Sequence, residues 1–226
     1  MTGSGGGRPS GALRLGHRTF GPDQLLVMAV VEADLARVRA AVAEGADIVA
    51  VRGGPGDDPL VETTRVSGFV SAVRDAHPEL VIAVEAGRYE VGRAACAAGA
   101  DLVRGDLVVG DLVEVAAQFG AGVVCSPALV ARAVGAGVDP QRIVVESAPA
   151  QDVSLLAGLV ASGWPVLVDE AADNELAGAL ARTAVCAWLG ARVFRVGRVL
   201  QTRRVLRMVS AIRGDIPPAR AVRGLA

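Results

Sequence analysis

The side chains best placed for chemistry in this chain are five charged residues at the C-terminal ends of apolar runs: Glu85, Arg104, Glu146, Arg195 and Arg198. A carboxylate such as Glu85 or Glu146 accepts two parallel N–H bonds from a planar donor. Guanidiniums at Arg195 and Arg198 are able to clamp an anion bidentately, at the end of a barrel where phosphate is often held. Each residue also has a plainer reading. Glu85 and Glu146 can pair with Arg52 and Arg104, Arg195 can pair with Asp169 or Glu170, and Arg198 can be solvated.

Other chemistries are poorly supplied. All 23 basic residues are arginine, so a Schiff-base lysine is excluded. For the same reason Gly53-Gly-Pro-Gly56 is not a phosphate loop, since no Lys-Ser/Thr follows it. His17 and His77 fall away from the strand ends that matter, which leaves no catalytic histidine. Cys125, followed by Ser126, ends a strand at the functional face but has no base beside it, so a packed thiol is expected. Glu32, Glu85, Glu146, Asp169 and Glu170 match no metal-ligand spacing and face competing arginines, so no metal site is expected.

These residues are carried by a repeating pattern. The runs Leu25–Val31, Asp47–Arg52, Leu80–Glu85, Asp101–Arg104, Gly122–Cys125, Arg142–Glu146, Pro165–Val168 and Arg192–Val196 are nearly continuously apolar, as in parallel strands covered on both faces. Helical segments lie between them, among them Ala33–Glu44, Val61–Asp75, Tyr89–Ala98 and Val199–Ile212. Glycine precedes strand after strand, in Glu44-Gly-Ala-Asp47, Ala98-Gly-Ala-Asp101, Gly137-Val-Asp139 and Leu189-Gly-Ala191, and supplies the helix C-cap. Eight such units predict an α/β fold, a single (β/α)8 TIM barrel, in preference to an open doubly wound sheet.

Composition agrees. At 226 residues the chain is long enough for one barrel and no second domain. Apolar residues make up 52% and aromatics 3%, so the core must be Val, Leu, Ile and Ala, which fill barrel interiors in layers. A net charge of −1 without charge blocks argues against nucleic acid and against an anionic membrane surface. No apolar run approaches the ~20 residues that span a bilayer. Cys96, Cys125 and Cys186 are scattered without C-x-x-C spacing, which points to a reduced, cytoplasmic, metal-free protein. Residues 1–11 read as a disordered lead, 12–214 as the barrel and 215–226 as a flexible tail.

Leu13-Arg-Leu-Gly-His-Arg-Thr-Phe20, Leu26-Val-Met-Ala-Val-Val31, Glu44-Gly-Ala-Asp-Ile-Val49, Gly137-Val-Asp-Pro-Gln-Arg-Ile-Val-Val145, Gly190-Ala-Arg-Val-Phe-Arg-Val196 and the stretch Gln201 to Gly214 together resemble dihydropteroate synthase, the pterin-binding family. That family joins a pterin pyrophosphate to p-aminobenzoate. The first stretch is similar to the short hairpin that closes the bottom of the family's barrel. The resemblance also implies a homodimer through the last two helices, with Trp188, Leu189, Val205 and Met208 as contacts.

The departures from the family bear on activity. Glu32 stands where the family's Asn opens a long Thr-Pro-Asp-Ser-Phe loop, and Gly53 to Asp57 replaces its Gly-Gly-Glu-Ser-Thr-Arg-Pro loop. Glu85 replaces an Asp, Arg104 an Asn and Glu146 an Asp. Asp169-Glu-Ala171 replaces Ser-Arg-Lys, and Gly197-Arg198 replaces the His-Asp that follows the retained Arg195. Displacement at a carbon bearing pyrophosphate needs a carboxylate for the pterin's guanidine-like edge, cations with Mg²⁺ for the leaving group, and loops that exclude water. The expected protein is therefore a degenerate member of the family, non-catalytic, that binds a pterin-like or anionic small molecule or acts through interaction. A divergent active synthase using Glu85, Glu146 and Arg195, with Mg²⁺ only if pyrophosphate is bound, is the alternative. A structural barrel whose mouth is closed by salt bridges is a further one.

Overall fold

The β-branched runs become strands and the amphipathic segments between them become helices. The computed structural model describes residues 11–52, 58–105, 111–147, 153–171 and 175–217. A short antiparallel hairpin comes first, β1 (Leu13–Leu15) with β2 (Arg18–Phe20). Eight parallel strands follow: β3 (Leu26–Val31), β4 (Ile48–Arg52), β5 (Val81–Glu85), β6 (Leu102–Arg104), β7 (Gly122–Cys125), β8 (Ile143–Glu146), β9 (Val166–Asp169) and β10 (Val193–Val196). They close into a barrel in chain order, with β10 returning to β3. The helices between and after them are α1 (Leu35–Ala43), α2 (Pro59–Ala76), α3 (Tyr89–Ala97), α4 (Asp111–Phe119), α5 (Val130–Gly135), α6 (Val153–Ala161), α7 (Leu176–Trp188) and α8 (Val199–Arg213). The expected (β/α)8 barrel and its hairpin are both present.

Strand periodicity divides the core in two. Val49, Val51, Ile82, Val84, Val103 and Phe194 point outward and pack under the helices. Leu26, Met28, Ile48, Ala50, Val81, Ala83, Leu102, Val124, Val144, Leu167 and Val193 point inward. The same inner cluster contains Leu13, Leu15 and Phe20 of the hairpin, all at most 1% exposed. The hairpin is thus a plug in the bottom of the barrel, and the apolar interior stacks upward from it.

At that lower end one motif is used twice. Gly45 and Gly99, at φ +99° and +106°, turn the chain out of α1 and α3 in a conformation that side chains other than glycine rarely adopt. Two residues later Asp47 accepts from the N–H of Val27 on the preceding strand, and Asp101 accepts from that of Ile82, both at 2.9 Å. An arginine on an outer helix completes each unit. Arg203 of α8 donates to Asp47 and to the Gly45 carbonyl, and Arg74 of α2 donates to Asp101 and to the Gly99 carbonyl. The strands accordingly start one residue later than the apolar pattern suggests, at Ile48 and Leu102, because the aspartates are spent tying neighbouring strands together. No helix among the described residues is long and apolar enough to cross a membrane.

Candidate ligand site at the barrel mouth

Continuing each inward-facing row upward by two residues gives the top layer of the barrel. Ala50 leads to Arg52, Ala83 to Glu85, Leu102 to Arg104, Val144 to Glu146, Leu167 to Asp169 and Val193 to Arg195, while Met28 leads to Val30 and Val124 to Ser126. In a barrel interior such a layer is ordinarily filled by bulky side chains. Here six of the eight positions are carboxylates and guanidiniums, and they are bonded to each other.

Arg195, whose side chain is 5% exposed, lies at the centre. Its Nε and Nη2 donate to the two carboxylate oxygens of Glu85 at 2.5 and 2.8 Å, while Nη1 donates to both oxygens of Asp169 at 2.9 Å. Arg104 forms a second fork above it. Its Nη2 and Nε donate to Glu146 at 2.5 and 3.3 Å, Nη1 to Glu85 at 3.3 Å and Nη2 to Asp169 at 3.1 Å. Arg52, half-exposed at the rim, adds a 3.5 Å contact to Glu85. Asp169 also accepts the backbone N–H of Ala171 at 3.0 Å.

Three carboxylates therefore meet three guanidiniums, and the formal charge of the layer cancels. Burial pulls the Arg104 and Arg195 guanidiniums toward the neutral form. For Arg104 the bond to Glu146 and the charges of Glu146, Glu85 and Asp169 outweigh burial; for Arg195 the bond to Glu85 and the charges of Glu85 and Asp169 do so. Both shift upward from the ordinary arginine value.

Arg198 stands apart. It is exposed at the N-terminus of α8, with no side-chain capping bond. Glu170, beside Asp169 but facing away from the mouth, pairs with Arg182 at 3.0 Å. Glu32 is exposed at the end of β3. Cys125 is buried, and desolvation followed by the charge of Glu146 raises its thiol to about 11, so it is not a nucleophile near neutral pH. The buried Nε2 of His77 has no hydrogen-bond partner among the described residues, and that ring lies before β5, at the end opposite the mouth.

Of the sequence-derived candidates, the structure joins Glu85, Arg104, Glu146 and Arg195 and leaves Arg198 outside. Asp169, which the sequence offered as a pairing partner for Arg195 and within a carboxylate set rejected as a metal site, is a full member. Its signal is positional, two residues beyond the inward-facing Leu167. Mg²⁺ does not fit this layer. The oxygens it would need already accept guanidinium N–H groups, and a dication there would sit beside Arg104 and Arg195. Among the described residues no cluster of His, Cys, Asp or Glu has metal-site geometry.

The connection from β3 to α1 consists of Glu32, Ala33 and Asp34, and Asp34 caps α1 by accepting from the Ala36 N–H. The segment Gly53 to Asp57, read in sequence as a shortened loop, lies outside the described residues.

With fold and mouth in view, comparison with known proteins gives the family. The model described as pterin binding enzyme matches residues 23–129. Inactive dihydropteroate synthase 2 of Mycobacterium tuberculosis is 37% identical over 252 residues, covering 84% of this chain and 78% of that protein. Inactive dihydropteroate synthase 2 of Mycobacterium leprae is 34% identical, covering 92% of this chain and 98% of its own length. The solved structure of Mycobacterium tuberculosis Rv1207 superposes with a TM-score of 0.79 at 38% identity, over 93% of this chain and all of that one. Burkholderia cenocepacia dihydropteroate synthase, solved with 7,8-dihydropteroate, shares the fold at a TM-score of 0.78 and 21% identity. The chain belongs to the dihydropteroate synthase family.

Proposed function

We propose that this protein is a non-catalytic member of the family whose mouth is closed by its own ion pairs. The observation that carries this reading is that Arg195 and Arg104 occupy Glu85, Glu146 and Asp169, the carboxylates that line the mouth. An enzyme accelerates displacement by holding its donors ready for charge that develops in the transition state. Here the cation retained from the family, Arg195, is engaged by Glu85 and Asp169, and no lysine or histidine stands beside it. The relatives named inactive dihydropteroate synthase 2 support the same reading. Purified protein supplied with 6-hydroxymethyl-7,8-dihydropterin pyrophosphate, p-aminobenzoate and Mg²⁺ is expected to form no dihydropteroate. Product formation at an ordinary enzyme rate overturns the proposal.

A protein without turnover acts through its surface, and the α7–α8 face offers one. Val185, Trp188, Met208 and Ile212 are about half exposed or more there, beside the partly buried Leu189 and Val205. These exposed apolar side chains on two adjacent helices support a homodimer through the last two helices. Free cysteines at Cys96, Cys125 and Cys186 support a reducing, cytoplasmic setting. The working unit spans residues 12–214, with a lead at 1–11 and a tail at 215–226, of which residues 1–10 and 218–226 lie outside the described residues.

A further inference from the structure

The geometry points to a second ligand site, at the base of the barrel, for a small amphipathic anion: a carboxylate or phosphate-ester head on an apolar body. It lies at the end opposite the mouth and rests on none of the mouth's ion pairs.

A cavity of about 870 Å³ opens between the entry to β3, the turn from α1 to β4 and one face of α8, a size ordinary for ligand pockets. Leu25, Leu26 and Leu206, all buried, give it an apolar inner lining. Arg203 braces its walls. From α8 it donates to the Leu25 carbonyl at 3.1 Å, to the Gly45 carbonyl at 2.9 Å and to Asp47. The space is therefore built before a ligand arrives, which lowers the cost of binding.

The outer lining is cationic. Arg204 and Arg207, three residues apart on α8, are exposed and have no hydrogen bond or ion pair among the described residues. Arg18 joins them from the hairpin, its guanidinium held 4.7 Å above the centroid of the Phe20 ring. Of the carboxylates along the cavity, Asp47 is taken by Arg203 and Asp215 by Arg213. Asp23 and Glu44 remain, against the three guanidiniums of Arg18, Arg204 and Arg207, so the lining is left with an excess of positive charge. An inorganic anion would use the arginines and leave the leucines uncovered, and a neutral apolar molecule would do the reverse. A molecule with an anionic head and an apolar body uses both.

Calorimetric titration of the whole protein with octyl phosphate tests this. One saturable site per chain is expected, with a Kd on the order of 100 µM. Inorganic phosphate, which lacks the body, and octylammonium, which reverses the charge, should each bind at least about tenfold more weakly. Arg204→Gln combined with Arg207→Gln, both at exposed positions, should weaken octyl phosphate about tenfold or more. Trp188→Glu, on the separate apolar face of α7 and α8, should leave the affinity unchanged. Octanoate in the same titration separates the two heads: tighter binding of the phosphate ester assigns the site to phosphate esters, and tighter binding of octanoate assigns it to carboxylates. Binding of neither, equal affinity of the unaltered protein and the double variant, equal binding of octylammonium, or loss of binding in Trp188→Glu overturns the inference.

Discussion

Arg195 on β10 and Glu85 on β5 are joined by two hydrogen bonds, of 2.5 and 2.8 Å, across two intervening strands of the barrel. A bond of this kind cannot form along a sheet edge; it requires closure, and it reports closure. Removing one partner of a buried ion pair strands the other charge, which costs about 3–5 kcal/mol. Arg195→Ala should therefore lose stability of that order in urea unfolding. Arg195→Met combined with Glu85→Leu should recover much of it, since apolar residues can replace a buried pair. A loss under about 1 kcal/mol for Arg195→Ala would show that the pair is solvated rather than buried.

The hairpin should behave as core. Leu15 is fully buried inside the barrel base, so Leu15→Ala is expected to cost about 2–5 kcal/mol. Gly122, which begins β7, is the matching position on the wall. A Cβ there would lie 2.6 Å from the Arg142 carbonyl oxygen and 3.0 Å from Leu15. Gly122→Ala should lower the melting temperature even though the substitution adds one methyl group, because backbone has to shift to admit it. An unchanged melting temperature for both variants would mean that the hairpin does not plug the barrel.

The repeated Gly-Ala-Asp unit makes a sharper comparison. Arg74 donates to the carbonyls of Pro78, Leu80 and Gly99 as well as to Asp101. Arg74→Met keeps the stem of the side chain and removes those bonds, with an expected loss of about 1.5–3 kcal/mol, the worth of charged hydrogen bonds. Asp101→Asn should lose less, since the amide oxygen still accepts from Ile82. Denaturant midpoints of the two variants give the order directly.

Alkaline pH should weaken the fold through its thiols. Burial, followed by a nearby carboxylate, lifts Cys96 to about 12 and Cys125 to about 11 from an ordinary 9.0. A group whose value is raised in the folded state binds more protons folded than unfolded at a pH between the two values. Its contribution is fully present below pH 9.0 and is lost as pH climbs toward 11 and 12. The urea midpoint should fall over that window, and Cys96→Ala with Cys125→Ala should flatten the slope. Native Cys125 should also resist iodoacetamide at about pH 8, where almost none of it is thiolate.

Much of this molecule was legible in its sequence, for reasons that particular residues make plain. Continuous apolar runs such as Val81 to Val84 mark strands covered on both faces, and the glycines at 45 and 99 mark their entries. The mouth was legible only in part. Period two along a strand aligns Glu85 above Ala83 and Asp169 above Leu167, so membership of the top layer can be read from local pattern. Which charges meet is set by curvature and closure, and nothing local to Arg104 says that it reaches Glu146 and Asp169 on strands 42 and 65 residues away. Asp47 and Asp101 were hidden for a similar reason. Each looks like a polar punctuation mark until the arginine that binds it, Arg203 or Arg74, is brought in from a distant helix.

The apolar face of α7 and α8 should disappear on association. Trp188 is 58% exposed and Ile212 64% exposed in the single chain. Trp188→Glu is expected to convert a dimer to a monomer in sedimentation equilibrium with the helical circular dichroism retained. A monomer before substitution would remove the dimer from the functional proposal.

The most direct test of a closed mouth is a calorimetric titration of the unaltered protein with 6-hydroxymethyl-7,8-dihydropterin pyrophosphate in the presence of Mg²⁺. Because Arg104 and Arg195 already hold the carboxylates and leave no place for the metal, no saturable heat is expected. Saturable binding in the micromolar range, lost on Glu146→Ala, would show that the pterin enters past Arg104 and would contradict the closed mouth.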